Sequence, residues 1–416
     1  MADIGLYLPT DVRFGKGIEN EVGEVLKEKG AHKVLIHYGS GSIKKSGLYD
    51  KVVAALDAAG IEHVELGGVV PNPRVSLARK GIELCEAEGV DCLLAVGGGS
   101  VLDSTKCIAY GLYANAEARK AGEEVHDVWD FYCGKRKPAG AFPFGAILTL
   151  SATGSEMSDS SVITNDDGEP TYKRGVNSDF GRPDFALLDP ELTYSVSKYQ
   201  TASGSVDIMM HTLERYFHSG YALDFTDELS FAVLKTIVKY APVALEKPDD
   251  YDARANLMWA GTLSHNGLMA SCNSNKGDWA CHQMEHELSA EYDVAHGAGL
   301  AAIWGSWARY VMDVDIDRFV KLGRGVWGYG CCDSKVEELT SDEKKDLAEK
   351  TIAAFEEFFK SLDMPISVPE LIPGFDEEAC KVAALGVTFQ NARTIGSYKV
   401  LATEDIFEIY KAACGL

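Results

Sequence analysis

Cys92-Leu-Leu-Ala-Val-Gly-Gly-Gly-Ser100 is an apolar run of strand length that ends in three glycines and a serine. A run this apolar suits a strand buried on both faces, and the glycines let the chain turn tightly into the helix expected from Val101. The same order recurs on either side. Lys33–Tyr38 (KVLIHY) ends in Gly39-Ser40-Gly41-Ser42 ahead of a helix over Leu48–Ala59. Glu62–Leu66 reads as a strand, and beyond the break at Val70-Pro71-Asn72-Pro73 a helix runs through Ala87. Leu6–Pro9, Val12–Phe14 and Pro143–Leu150 complete the strands, and Ile18–Lys29 is a further helix. Strand, glycine turn and helix in repetition predict a parallel sheet with crossover helices.

Beyond Asp189-Pro190 the pattern changes. Helical periodicity covers Ala202–Phe217, Phe225–Tyr240, Tyr251–Met269, Trp279–Tyr292 and Gly299–Met312, then Ile316–Leu322, Asp342–Leu362, Asp376–Leu385 and Glu404–Ala413. The expected organisation is therefore an α/β domain over residues 1–190 and an all-helical domain over 191–416. A chain of 416 residues is long enough for each to have its own core. A net charge of −23 argues against nucleic acid or an anionic membrane as partner, since both attract basic faces. No secretory pattern opens the chain and no apolar run reaches the ~20 residues that span a bilayer. Ten scattered cysteines without a CxxC pair fit reduced thiols and a cytoplasmic protein.

Gly277–Gly299 (GDWACHQMEHELSAEYDVAHGAG) carries three histidines. His282 and His286 are four apart, so a helix would present both on one face, with His296 in the glycine-rich turn beyond. Upstream, Asp207 and His211 share the same spacing. Six of the ten histidines fall between His211 and His296. Imidazoles with a carboxylate are a divalent-metal donor set, and this one suits both Fe(II) and Zn(II). Two other readings stand beside it. His282-Gln-Met-Glu285-His286 formally matches the HxxEH motif of zinc hydrolases, and a binding protein with a degenerate site is a third. His218 reads as a surface or interface group, and Glu285 and Glu287 as solvated helix charges.

The GGGS turn suits a phosphate, because glycine backbone approaches closely and a helix N-terminus supplies donors. Asp103 sits near that N-terminus, where capping is the usual role of an aspartate. A full GxGxxG fingerprint is absent, since the first glycine turn has Lys44 where its third glycine would be. That turn also has no carboxylate to hold a ribose 2′-hydroxyl or repel a 2′-phosphate, which favours NADP(H) and leaves NAD(H) possible.

Taken together these residues resemble the iron-dependent (group III) alcohol dehydrogenases, in their butanol-dehydrogenase-like branch. The resemblance runs nearly end to end. It is carried by PTDVRFGKG at 9–17, GSGSIKKSG at 39–47, GGGSVLDSTK at 97–106, TLSATGSEMS at 149–158, Leu188-Asp189-Pro190, Asp207-x3-His211 and the histidine segment. It implies a Rossmann-like nucleotide domain followed by a helical metal domain, in a dehydroquinate synthase-like architecture. It implies Asp207, His211, His282 and His296 as ligands to Fe2+, with Zn2+ possible, and His286 as a proton relay. Gly98, Gly99 and Ser100 would bind the pyrophosphate, with Asp103 beside them. Thr149 and Thr153 would line the cofactor site, Lys173 would reach the ribose or nicotinamide end, and Gly39, Ser40 and Ser42 would face the adenosine ribose. The implied activity is hydride transfer between NAD(P)(H) and a small alcohol or aldehyde, in a homodimer joined near Gly5–Phe14.

Overall fold

The computed structural model describes residues 5–167, 171–220, 222–272, 276–330 and 335–416. The chain divides into two compact units, Tyr7–Val196 and Ser197–Leu416, with Gly5 and Leu6 joining the second. The division falls a little beyond residue 190. Asp189 keeps the intervening segment with the sheet: its carboxylate accepts from the Gly17 amide at 2.7 Å and the Glu191 amide at 2.8 Å.

In the first unit β1 (Asp11–Phe14) leads to α1 (Val22–Glu28) and β2 (Lys33–Tyr38). A one-turn helix α2 (Ser42–Lys45) and α3 (Leu48–Ala59) follow, then β3 (Glu62–Leu66), α4 (Val75–Glu88) and β4 (Cys92–Gly97). Next come the long α5 (Gly99–Ala121), α6 (Trp129–Tyr132) and β5 (Phe144–Leu148), then β6 (Ser160–Asn165), β7 (Tyr172–Asn177) and β8 (Phe185–Leu188). Six strands form one parallel sheet in the order β1-β8-β5-β4-β2-β3. Alternate residues of each central strand serve opposite faces. Val34 and Ile36 pack with Leu94 and Val96 against Val52 and Leu56, whereas Leu35 and Leu93 pack with Val75 and Ile108. Two apolar layers explain why β2 and β4 read as unbroken hydrophobic runs.

Three features depart from the sequence reading. The first is β8 (Phe185–Leu188), which was not anticipated although it lies between β1 and β5 in the sheet. Leu6–Pro9 is not a strand; Leu6, Tyr7 and Leu8 are exposed, and pairing begins only at Asp11. The antiparallel pair β6–β7 was not anticipated, because Ser160–Asn165 and Tyr172–Asn177 are too polar to stand out.

His37, on β2, is fully buried and bridges two elements. Its Nδ1 lies 2.8 Å from the Leu66 carbonyl and its Nε2 2.8 Å from the Ser104 hydroxyl on α5. Burial lowers its pKa from 6.5 to about 4. The folded state therefore favours the neutral ring, and this stability is complete above pH 6.5 and is lost as pH falls towards 4. Between pH 7.5 and 5.5 the loss should be about 1.4 kcal/mol. Urea unfolding of wild type and His37→Gln at both pH values checks this: the difference in slope between them should be of that size, and equal slopes would refute it.

The second unit contains α7 (Lys198–Tyr216), α8 (Asp224–Glu246), α9 (Tyr251–Ser264), α10 (Ala280–Tyr292) and α11 (His296–Val311). It continues with α12 (Ile316–Trp327), α13 (Ser341–Ser361), the short α14 (Val368–Leu371), α15 (Glu377–Val387) and α16 (Thr403–Cys414). Helix α11 is central, packing on α7, α10, α13, α14 and α16. Its Trp304 and Trp307 are fully buried among Phe217, Phe319, Phe355 and Phe359. Helix α9 stops at Ser264 rather than Met269: the chain leaves helical geometry at His265, and Gly267, at φ +96°, leads into a separate short turn over Leu268–Ala270. Among the described residues no helix is long and apolar enough to cross a membrane.

Candidate functional site

Asp207 and His211 face the same way on α7, as their spacing requires, and both are buried. His282 stands near the start of α10 and His296 begins α11. His296 is thus not in a turn. The HGAG glycines serve close helix packing instead: a Cβ at Gly297 would collide with the Ser203 carbonyl on α7, and one at Gly299 would sit 2.8 Å from Glu285 Cγ.

Asp207, His282 and His296 converge, with one ligand atom from each lying within 4.8 Å of the others. Asp207 Oδ1 is 3.8 Å from His282 Nε2 and 3.7 Å from His296 Nε2. Two donors each ~2.1 Å from a common ion at a tetrahedral angle stand about 3.4 Å apart, so the gap is of cation size. Asp207 Oδ1 and His282 Nε2 are buried with no hydrogen-bond partner among the described residues. Unpaired buried polar atoms are costly, and a metal ion would satisfy both. His211 lies against this group rather than within it. Its Nδ1 is 3.3 Å from Asp207 Oδ1, and its ring centroid is 4.6 Å from that of His282. Burial, with the neighbouring charges of His282 and Arg215, drives its pKa well below normal, leaving a neutral ring suited to coordination.

Two carboxylates that the sequence reading did not pair with the histidines orient them. Glu214, three residues after His211 on α7, is fully buried and bonds His282 Nδ1 through Oε2. Its Oε1 accepts from the Cys281 amide at 2.7 Å, capping the start of α10. Glu285, read from sequence as a solvated charge, is also fully buried and bonds His296 Nδ1 and the Ser289 hydroxyl. Each carboxylate fixes the proton on Nδ1 and aims Nε2 at the gap. Burial alone would lower the pKa of His282, but Glu214 and Asp207 outweigh it and lift it to about 9. The pocket therefore attracts positive charge, as a metal site must. Glu214 had a detectable signal, since it lies seven residues from Asp207 and hence on the same face of α7. Glu285 was singled out from Glu287 only by the HxxEH match, which gave it a different role.

His286 stands beside the group, its ring 5.9 Å from that of His296, and with Glu285 and His296 it makes a second, overlapping cluster of donor atoms. Trp279 caps α10 in a left-handed conformation, φ +65°, and packs against the rings of His211, His265 and His282. His218 is buried rather than on the surface.

In the first unit, the turns after β2 and β4 leave neighbouring strands whose onward connections run in opposite directions across the sheet. Such a switch point opens a crevice at the carboxyl ends of the strands. Gly98 caps the 23-residue α5 with no side-chain hydrogen bond, so Gly99 and Ser100 open a long helix whose N-terminus is available to an anion. Thr149 follows β5, its amide bonded to the Gly97 carbonyl at 3.0 Å, and a Cβ on Gly99 would strike Thr153. These residues come together and fit a pyrophosphate. Gly39, Ser40 and Ser42 lie at the next strand end, β2, with Ser40 and Ser42 exposed. Lys173 is buried on β7.

Asp103 does not cap α5. Its Oδ1 accepts from the Ser155 hydroxyl at 2.8 Å and its Oδ2 from the Val162 amide at 3.0 Å, both within the segment that follows β5. One turn on, Lys106 is fully buried and donates to the carbonyls of Ser155, Ser158 and Ser160 at 2.9, 3.0 and 2.7 Å. The motif GGGSVLDSTK thus carries the turn at one end and anchors for the neighbouring loop at the other.

Sheet and helices define a class, an enzyme equipped for a divalent metal and a dinucleotide. Comparison with known proteins gives the family. Residues 9–190 match the model of the iron-containing alcohol dehydrogenases, and residues 201–414 match that of the C-terminal part of the Fe-containing alcohol dehydrogenase family. The chain belongs to the iron-containing alcohol dehydrogenase family. It is 42% identical to the NADH-dependent butanol dehydrogenase A of Clostridium acetobutylicum, covering 99% of each chain. It is 34% identical to the NADPH-dependent aldehyde reductase YqhD of Escherichia coli, over 91% of this chain and 94% of that one. Its fold is similar to the crystal structure of NADH-dependent butanol dehydrogenase A from Thermotoga maritima, with TM-score 0.89 and 37% identity over 100% of this chain and 99% of the other.

Proposed function

We propose that this protein is an iron-dependent alcohol dehydrogenase and aldehyde reductase that exchanges hydride between NAD(P)(H) and a small alcohol or aldehyde of the butanol–butanal type. The observation that carries the reading is the convergence of Asp207 Oδ1 with Nε2 of His282 and His296. Asp207, His211, His282 and His296 would hold the metal; zinc suits the same donors, and iron follows from the family. Gly98, Gly99 and Ser100 would bind the pyrophosphate, Thr149, Thr153 and Lys173 the rest of the cofactor, and Gly39, Ser40 and Ser42 the adenosine ribose.

When bound, the metal supplies Lewis acidity to an alcohol or carbonyl oxygen and the nicotinamide supplies or accepts hydride. This chain's residues do the remainder. Glu214 and Glu285 keep the protons of His282 and His296 on Nδ1. His286, half-buried beside His296, passes the hydroxyl proton between the site and solvent. The zinc-hydrolase alternative would need Glu285 as a base, and here that carboxylate is engaged by His296 and Ser289.

The turn at 39–42 has no carboxylate and so admits NADP(H). Relatives are named for either cofactor; the missing carboxylate favours NADP(H) for this chain and leaves NAD(H) possible. A homodimer is supported by the edge strand β1 and by exposed Leu6, Tyr7, Leu8 and Phe14 around it. A cytoplasmic location is supported by cysteines that are unpaired thiols among the described residues. The test is a panel of straight-chain aldehydes, acetaldehyde to hexanal, with NADPH and NADH on iron-reconstituted protein. Aldehyde-dependent loss of nicotinamide absorbance is expected, greatest near butanal. Metal-replete protein that oxidises neither cofactor with any aldehyde would refute the reading.

A further inference from the structure

Lys44 follows the glycine turn at the end of β2, two residues after Ser42, and its ammonium is already engaged. Its Nζ lies 2.7 Å from Glu65 Oε2, one residue before the end of the edge strand β3. Tyr38, the last residue of β2, donates its hydroxyl to the same oxygen at 2.8 Å. The ammonium also stands 5.1 Å from the centroid of the Tyr38 ring and 4.5 Å from that of Tyr49, within cation–π range of both. The backbone holds the turn against the end of β3: the Gly68 amide donates to the Gly39 carbonyl at 3.0 Å and the Val69 amide to the Tyr38 carbonyl at 3.3 Å. The carboxylate missing from the turn is therefore supplied from the neighbouring strand, through space.

We infer that Glu65 sets the cofactor choice of this chain, by holding the Lys44 ammonium beside the ribose turn and by presenting a carboxylate to any 2′-phosphate that approaches it. The inference rests on the reading that residues 39–42 receive the adenosine ribose. An NADP(H) 2′-phosphate brings close to two negative charges, so it gains from a free lysine and loses from a nearby carboxylate. NAD(H) carries an uncharged hydroxyl there, which is not repelled by the carboxylate and gains at most a hydrogen bond from it. Lys44 and Glu65 are each half-exposed, so the pair is loose enough to be rearranged by a ligand, and its influence weakens with salt.

The test measures binding, independently of turnover, on iron-loaded full-length protein by calorimetry with 2′,5′-ADP and 5′-AMP as probes. Glu65→Gln should raise affinity for 2′,5′-ADP about tenfold at low salt, or ~1.4 kcal/mol, and change 5′-AMP affinity less than about twofold. Lys44→Met, which leaves Glu65 uncompensated, should shift the ratio of the two affinities the other way. Ser40→Asp is the control, placing a carboxylate in the turn itself. If Ser40→Asp weakens 2′,5′-ADP while Glu65→Gln leaves the ratio unchanged, the turn holds the ribose and the inference about Glu65 is overturned. If neither substitution alters either affinity, the reading of the turn fails and the inference falls with it.

Discussion

His282→Ala and Asp207→Ala should each yield protein without bound iron and without measurable turnover. Both side chains are buried, and their facing atoms find no hydrogen-bond partner among the described residues. Removing either takes away one of the four proposed donors, and the three that remain should hold a divalent ion far more weakly. His282→Ala has a second consequence, because the Glu214 carboxylate then remains buried without its imidazole. Loss of such a partner is strongly destabilising, so this variant should also melt earlier. Asp207→Asn keeps the shape and removes the charge, and should separate metal loss from misfolding. Glu214→Gln should weaken metal binding by roughly 10–100-fold, the usual cost of losing an orienting carboxylate. Elemental analysis and cofactor oxidation on the same preparations decide the matter. Stoichiometric, tightly held metal in His282→Ala or Asp207→Ala protein would refute the site.

His286→Ala should keep its metal and lose activity by ~10²–10⁴-fold, the range for a positioned acid–base group. The structure offers two overlapping donor clusters that share His296, one with Asp207 and His282, the other with Glu285 and His286. The first is favoured because Glu285 is spent on His296 Nδ1, which turns that ring's Nε2 towards Asp207. Metal content therefore tells the clusters apart. Cofactor affinity should be unchanged, since His286 is not among the residues proposed to hold the pyrophosphate or the adenosine ribose. His286→Ala protein that arrives metal-free would make His286 a ligand and leave His282 as the candidate relay.

The sheet was legible because burial on two faces imposes continuous apolar runs, and glycine turns mark where they end. Lys33–Tyr38, Glu62–Leu66 and Leu48–Ala59 fall where that pattern put them. Leu6–Pro9 misled because a short run of apolar residues is not a strand without a neighbour to pair with, and here pairing begins only at Asp11. The two-stranded pair β6–β7 was missed for the opposite reason: its buried positions are largely polar, Ser161, Thr164 and Lys173 beside Ile163, so no apolar run marks them.

At the site, Asp207, His211, His282 and His296 stood out as candidates because ligand chemistry restricts residue type and helix geometry restricts spacing. Local spacing cannot say which groups meet across helices. Only the packing of α7, α10 and α11 turned Glu285 from a surface charge into the partner of His296. The same packing set Glu214 against His282, moved His296 from a turn to a helix start, and put His211 beside the triad instead of inside it. In the first unit, the turn at 39–42 contains no acid, yet Glu65 stands next to Lys44 because β2 and β3 are neighbours in the sheet. Residue type and local periodicity are properties of the chain alone. The pairing of charges across elements depends on distances that exist only once the helices and strands have packed.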